Sequence, residues 1–134
     1  MSAQKTDSTE NGMTPGTLRE QDLRQFTGTE CWYRHSLYTK FLYTDGVQYV
    51  AEQGGAYWLL DKIFACQICV PGLMEEPFIT WDLVLDAEGG GAKLICTDGN
   101  ENKLYSETIL FTDFPLKSIR FYFLNNVLLL PSEY

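Results

Sequence analysis

The sequence has few basic residues, a single histidine and no long hydrophobic run. Its 134 residues include 10 Lys and Arg against 18 Asp and Glu, which gives a net charge of −8. Such a chain is repelled by phosphate backbones and by anionic membrane surfaces, so we expect it to bind neither nucleic acid nor membranes directly. No stretch approaches the roughly 20 apolar residues that a transmembrane helix requires.

We also expect no export signal. Residues 1–16 are polar and contain no apolar segment of the signal-peptide type. Four cysteines without such a segment are typical of reduced thiols in a cytosolic protein. We therefore expect a cytoplasmic location.

The length and composition fit one small domain. A chain of 134 residues with 45% hydrophobic residues can bury a sizeable core. Residues 1–15 are rich in Ser, Thr, Gln, Asn and Gly, and we expect them to form a disordered tail. The remaining residues, 16–134, are predicted to form a single α+β domain.

Caps and apolar spacing predict three helices, at residues 17–25, about 45–54 and about 56–68. Thr17 and Glu20 have the spacing of a capping box at the start of the first. Thr44 or Asp45 caps the second, and Gly54-Gly55 ends it because glycine adopts the left-handed conformation at low cost. The third has a wide apolar face, which is typical of a buried helix.

The hydrophobic period changes from 3.6 to 2 in the second half of the chain. This predicts strands at about 78–86, 92–97, 103–112, 119–124 and 127–130. Asn125-Asn126 tolerates positive φ and fits a two-residue hairpin, while the aromatic run 30–42 is either one strand or a strand followed by a loop. Short consecutive strands joined by turns favour an antiparallel meander. We therefore expect an α+β fold with N-terminal helices packed on one face of an antiparallel sheet of about four to six strands.

Several sequence blocks, in their order along the chain, resemble an uncharacterised family of small bacterial proteins known only as a domain of unknown function. The blocks are FTGTE at 26–30, YTDGV at 43–47, AYWLLD at 56–61, TDFPL at 112–116 and LPSEY at 130–134. The resemblance covers about residues 18–134. It implies no activity, cofactor or catalytic residue, and it suggests an accessory role near bacterial mobile-element genes.

The cysteines and the histidine are the candidates for chemistry. A redox Cys-x-x-Cys pair normally lies at a helix N-terminus, whereas Cys66 and Cys69 fall in the last turn of a predicted apolar helix. A zinc site needs about four ligands, and Cys31, His35, Cys66 and Cys69 are the available candidates. His35 lies in an aromatic run without a Gly-x-Ser-x-Gly elbow, so we expect no catalytic residue. We also expect no cofactor and no bound metal. The cysteines are expected to pack in the core.

The negative charge is concentrated between residues 75 and 113, a segment that contains nine Asp and Glu residues and only two lysines. We expect these carboxylates to lie on the solvent side of the sheet and to attract a protein with a basic surface. The partner-binding candidates are Asp82, Asp86, Glu88, Glu101 and Glu107.

The functional hypothesis is therefore a non-catalytic acidic protein-binding module. One version is a phage or mobile-element accessory protein that inhibits a host nucleic-acid-handling defence complex. Two alternatives stay open. The first is a small enzyme or zinc-binding protein that uses His35 and the cysteines. The second is a self-associating module, such as a homodimer. The segment 127–130 is apolar on both faces, so it is either a central strand of the sheet or buried against another copy of the chain.

Overall fold

The computed structural model of the protein describes residues 18–134. The three helices are α1 (Glu20–Leu23), α2 (Asp45–Gly54) and α3 (Tyr57–Cys69), and short 3₁₀ helices cover Leu73–Glu75 and Pro131–Glu133. The seven strands are β1 (Trp32–Arg34), β2 (Leu42–Thr44), β3 (Ile79–Leu85), β4 (Ala92–Thr97), β5 (Lys103–Ile109), β6 (Ser118–Leu124) and β7 (Val127–Leu129).

The boundaries of α2 and α3 lie close to the predicted ranges. The Thr44 hydroxyl accepts a hydrogen bond from the Val47 N–H at the start of α2. Gly55 ends the same helix in the left-handed conformation, with φ 61° and ψ 40°. The first helix is shorter than predicted, with Arg19 as N-cap. The predicted capping residue Thr17 and the predicted tail 1–15 lie outside the described residues.

All seven strands form one mixed sheet in the order β1-β2-β7-β6-β3-β4-β5. The expectation of an antiparallel sheet of four to six strands was therefore wrong, although the α+β class is confirmed. The aromatic run 30–42 contains β1 and the first residue of β2, which pair antiparallel. β2 then pairs parallel with β7, with Leu42 opposite Val127.

β7 lies between β2 and β6, inside the sheet. This position explains why the segment is apolar on both faces, without a second copy of the chain. It is connected to β6 by the predicted hairpin, in which both Asn125 and Asn126 have positive φ. The two-residue turn is thus confirmed.

Buried side chains alternate along β3, β4 and β6 and define an inner face of the sheet, which α3 covers. Two contacts fix α3 there. The Trp81 indole N–H donates to the Gln67 side-chain oxygen at 2.8 Å, and the rings of Phe64 and Phe123 lie 6.4 Å apart. The opposite face, called the outer face below, carries the alternate residues of the same strands.

Helix length bears on the membrane question. Among residues 18–134, no helix is long and apolar enough to cross a membrane.

Candidate functional site

Of the two carboxylates within strands, only one lies on the outer face. Asp82 is on that face and pairs with Arg120 of β6 through two hydrogen bonds of 2.7 and 2.9 Å. Glu107 points to the inner face, where it pairs with Lys62 of α3 at 2.9 Å and accepts a hydrogen bond from the Tyr105 hydroxyl at 2.7 Å. Both carboxylates are therefore already neutralised by neighbours within the chain.

The other three predicted partner-binding acids lie in turns at opposite ends of the sheet. Asp86 and Glu88 follow β3 in the turn before β4, and Glu101 lies in the turn between β4 and β5. The five candidates do not share one surface. The expectation that these acids all lie on the solvent side of the sheet was wrong for Glu107. Strand alternation and register place Glu107 on the inner face, which α3 covers.

His35 is held by hydrogen bonds at both ring nitrogens. Nδ1 accepts the backbone N–H groups of Leu37 and Tyr38 at 3.1 and 3.0 Å, so it carries no proton. Nε2 therefore donates to the Asp61 carboxylate at 2.6 Å. With both nitrogens engaged and the ring buried, this histidine fixes the loop between β1 and β2 and offers no lone pair to a metal or a substrate.

The cysteines are dispersed. Cys66 and Cys96 are buried, as expected, whereas Cys31 and Cys69 are exposed, so the expectation that the cysteines pack in the core was wrong for these two. Burial raises the pKa of both buried thiols, that of Cys96 to about 12, so they are protonated at neutral pH. Within residues 18–134 no three His, Cys, Asp or Glu side chains are grouped so that they could hold a metal ion, which means that Cys31, His35, Cys66 and Cys69 do not converge.

Three depressions are linked by shared lining residues and are together called the acidic groove below. The first, of about 460 Å³, is lined by residues 25–30 and Asp45. The central one, of about 360 Å³, shares Thr29 with the first and is lined by Thr29, Trp32, Thr44, Leu124, Asn125, Val127, Leu129, Glu133 and Tyr134. The third, of about 490 Å³, shares Leu124 and Asn125 with the central one and is lined by residues 74–77 and 123–126.

Every charged side chain that lines the acidic groove is negative. The five carboxylates are Glu30, Asp45, Glu75, Glu76 and Glu133, and no Lys, Arg or His lines any of the three depressions. A further depression, beside α1, has charges of both signs, because Glu20, Arg24 and Arg120 line it. The charged side chains that line the acidic groove therefore all have the same sign.

Glu133 connects the chain end to the start of α2. Its Oε1 accepts hydrogen bonds from the Thr44 hydroxyl at 2.6 Å and the Leu130 N–H at 2.9 Å. Its Oε2 accepts the Gly46 N–H at 3.1 Å and the Thr29 hydroxyl at 3.4 Å. A carboxylate at the first turn of a helix also meets the positive end of the helix dipole.

Burial raises the pKa of Glu133 above its usual value even so. A side-chain hydrogen bond with the Asp45 carboxyl adds to the rise, and the hydrogen bonds from Thr44, Leu130 and Gly46 only partly oppose it. The rise shows that burial outweighs the hydrogen bonds that favour the charged form.

Aromatic side chains border the central depression. Trp32 on β1 is 54% exposed and Tyr134 is 73% exposed. The Tyr134 ring packs at 5.4 Å from Tyr122 and 5.5 Å from Phe78, which holds it beside the sheet. The central depression is thus lined by exposed aromatic rings, the apolar residues Leu124, Val127 and Leu129, and the Glu133 carboxylate.

Sequence reasoning did not predict the acidic groove. Its residues come from four distant parts of the chain, at 25–32, 44–45, 74–77 and 123–134. The one local signal was the predicted N-cap at Thr44. It marks the N-terminus of a helix, and the dipole there attracts a carboxylate. Nothing local indicated that the carboxylate would be Glu133, which lies 89 residues away.

The fold and site define an α+β protein with a mixed seven-stranded sheet and an acidic, aromatic groove at one side of it. Residues 17–134 match the family of unknown function DUF6876, and the chain belongs to that family. No curated protein and no solved structure matches the chain.

Proposed function

We propose that the protein is a non-catalytic protein-binding module whose acidic groove receives a basic surface of a partner protein. The observation that carries the proposal is the lining of the groove, with five carboxylates, no basic side chain and the exposed ring of Trp32. Complementary charge speeds encounter and suppresses wrong partners. Exposed aromatic residues supply the apolar contact that most binding surfaces need at their centre.

A finer version of the proposal concerns the partner. A cytoplasmic, mobile-element-borne bacterial protein of this charge is suited to inhibit a host nucleic-acid-handling complex. The groove carboxylates would then occupy a basic cleft that otherwise receives phosphates. The net charge of −8 supports this version, because it disfavours direct binding of the protein to the nucleic acid itself.

The test compares two variants of equal charge. In the groove variant Glu30, Glu75 and Glu76 are each changed to Gln. In the control variant three acids outside the groove are changed to the matching amides, Asp86→Asn, Glu88→Gln and Glu101→Gln. Wild type and both variants are immobilised through an N-terminal tag and exposed to a host lysate at low and at high salt.

We expect a specific protein to be retained by the wild type and the control variant at low salt and to be lost from the groove variant. High salt should weaken retention, because exposed charges are screened within about 10 Å at 0.1 M. Equal retention by both variants would show that the groove does not carry the binding. For the finer version, duplex DNA should displace the chain from the retained protein, and simultaneous binding of both would contradict inhibition.

A further inference from the structure

The sheet has a gap beside the first half of β6. β7 pairs with only the last three residues of that strand. Continued in the same register, β7 would place Pro131 opposite Arg120, but proline has no N–H to donate to a ladder. The Leu130 N–H donates instead to Glu133 at 2.9 Å, and the chain turns away into the C-terminal 3₁₀ helix. Within residues 18–134, the first half of β6 therefore has no strand on this side.

The main chain of Ser118 and Arg120 faces this gap. Successive residues of an antiparallel strand direct their N–H and C=O groups to opposite sides. The Leu85 N–H donates to the Lys117 C=O at 2.9 Å, and in the β3–β6 register this assigns the main chain of Ile119 to β3. The main chain of Ser118 and Arg120 then points away from β3. No hydrogen bond from the described part of the chain reaches these N–H and C=O groups.

A depression of about 310 Å³ occupies the gap, with β6 on one side and α1 on the other. Its apolar lining residues are Leu23, Leu116, Ile119, Leu130 and Pro131. Of the two arginines that line it, Arg120 is paired with Asp82, whereas Arg24 forms no ion pair with any residue from 18 to 134. Glu20 is the one acid of this lining, and it is not paired with Arg24. None of these residues lines the acidic groove.

We propose that this gap binds an extended segment of a partner protein, which pairs with β6 as an added antiparallel strand. Two residues of the segment, separated by one, exchange hydrogen bonds with the main chain of Ser118 and Arg120. The residue between them turns to the inner face beside Ile119, where an apolar side chain fits. An acidic residue next to these three supplies the counterion that Arg24 lacks. This second binding surface is separate from the acidic groove and goes beyond the proposed function.

The probe is the blocked pentapeptide Glu-Thr-Val-Thr-Glu, which has an apolar centre and an acidic residue at each end. Amide hydrogen exchange of the full chain is measured by NMR with and without saturating peptide. We expect the Arg120 N–H to exchange about tenfold more slowly in the complex, because it gains an acceptor. The Ile119 N–H is the internal control, since its main chain is assigned to β3 in both states.

A matched pair of variants tests the main-chain contact. Ser118→Pro removes the N–H that faces the gap and leaves the ladder to β3 intact, so it should weaken peptide binding about tenfold. Ser118→Ala keeps that N–H and should bind as the wild type does. The exchange rate of Ile119 shows whether Ser118→Pro is folded. If it is not, a peptide methylated on both threonine nitrogens takes its place, and the wild type should bind that peptide about tenfold more weakly.

A second comparison tests the charge of the segment. The peptide Gln-Thr-Val-Thr-Gln should bind about threefold more weakly than the acidic peptide, and Arg24→Gln should remove this difference. The groove variant should bind the acidic peptide as tightly as the wild type does, because its substitutions lie outside the gap.

An unchanged exchange rate of Arg120, or equal affinities of Ser118→Pro and Ser118→Ala, would overturn the proposal. Equal binding of the methylated and unmethylated peptides would do the same. Slow exchange of the Arg120 N–H in the free protein would also overturn it, because another part of the chain or a second copy would then fill the gap. Equal affinities for the Glu and Gln peptides would overturn the assignment of an acidic segment. The proposed function is decided separately, by retention of a host protein on the groove and control variants.

Discussion

Removal of the Glu133 side chain should measure how strongly the chain end is held to α2. Glu133→Ala deletes the acceptor for the Thr44 hydroxyl and for the N–H groups of Gly46 and Leu130. At about 1 kcal/mol net for each of these three hydrogen bonds, the loss is about 3 kcal/mol. The fourth, from the Thr29 hydroxyl at 3.4 Å, is too long to add much. Because the raised pKa shows that burial disfavours the charged form, removal of the charge returns part of this, and we expect a net loss of about 2 kcal/mol.

Thermal and urea unfolding, followed by far-ultraviolet circular dichroism, will measure the loss. At about 4 °C per kcal/mol for a domain of this size, the expected fall in Tm is about 8 °C. Glu88→Ala, in an exposed turn, serves as control and should change Tm little. A Glu133→Ala variant as stable as Glu88→Ala would refute the idea that this carboxylate holds the chain end in place.

The same residue predicts a pH dependence of stability. A carboxyl group with a raised pKa in the folded state binds more protons there than in the unfolded chain. Its contribution to the free energy of unfolding is therefore fully present below the unfolded pKa of about 4.5, and it is lost as the pH rises through the folded value. Glu133→Gln should remove this slope, and a slope that persists in Glu133→Gln would assign it to another group.

Two further predictions concern His35 and the cysteines. His35→Ala leaves two backbone N–H groups without their acceptor and should cost about 3 kcal/mol in urea unfolding, whereas Asp61→Asn, at an exposed position, should cost less than about 1 kcal/mol. Similar losses in the two variants would contradict the loop-fixing role. Iodoacetamide should label Cys31 and Cys69 in the folded protein and Cys96 only after unfolding, as peptide mass spectrometry will show. Rapid labelling of native Cys96 would show that its strand opens readily.

The parts of the fold that sequence predicted were those with local signals. Thr44 and Gly55 mark both ends of α2, and the Asn125-Asn126 turn fixes the hairpin between β6 and β7. These signals lie within a few residues of the structure they specify, so pattern and propensity identify them.

The parts that sequence could not predict depend on contacts between distant residues. The parallel pairing of β2 with β7 joins Leu42 to Val127 through three-residue strands, which are too short to show a period. The predicted acidic face failed for a related reason. The distribution of charge along the chain does not show which face of a strand packs against a helix. Glu107 was therefore expected in solvent, whereas in the structure it pairs with Lys62 of α3.

The position of β7 has a consequence for how the protein is made. β7 is the last of the seven strands to leave the ribosome, yet it separates β2 from β6 in the finished sheet. Until it is synthesised, both neighbours expose unpaired backbone groups, and unpaired strand edges of this kind promote aggregation. Completion of the sheet must therefore wait until residues 127–129 have been translated, and premature termination before residue 127 leaves two fragments of sheet with no strand hydrogen-bonded between them.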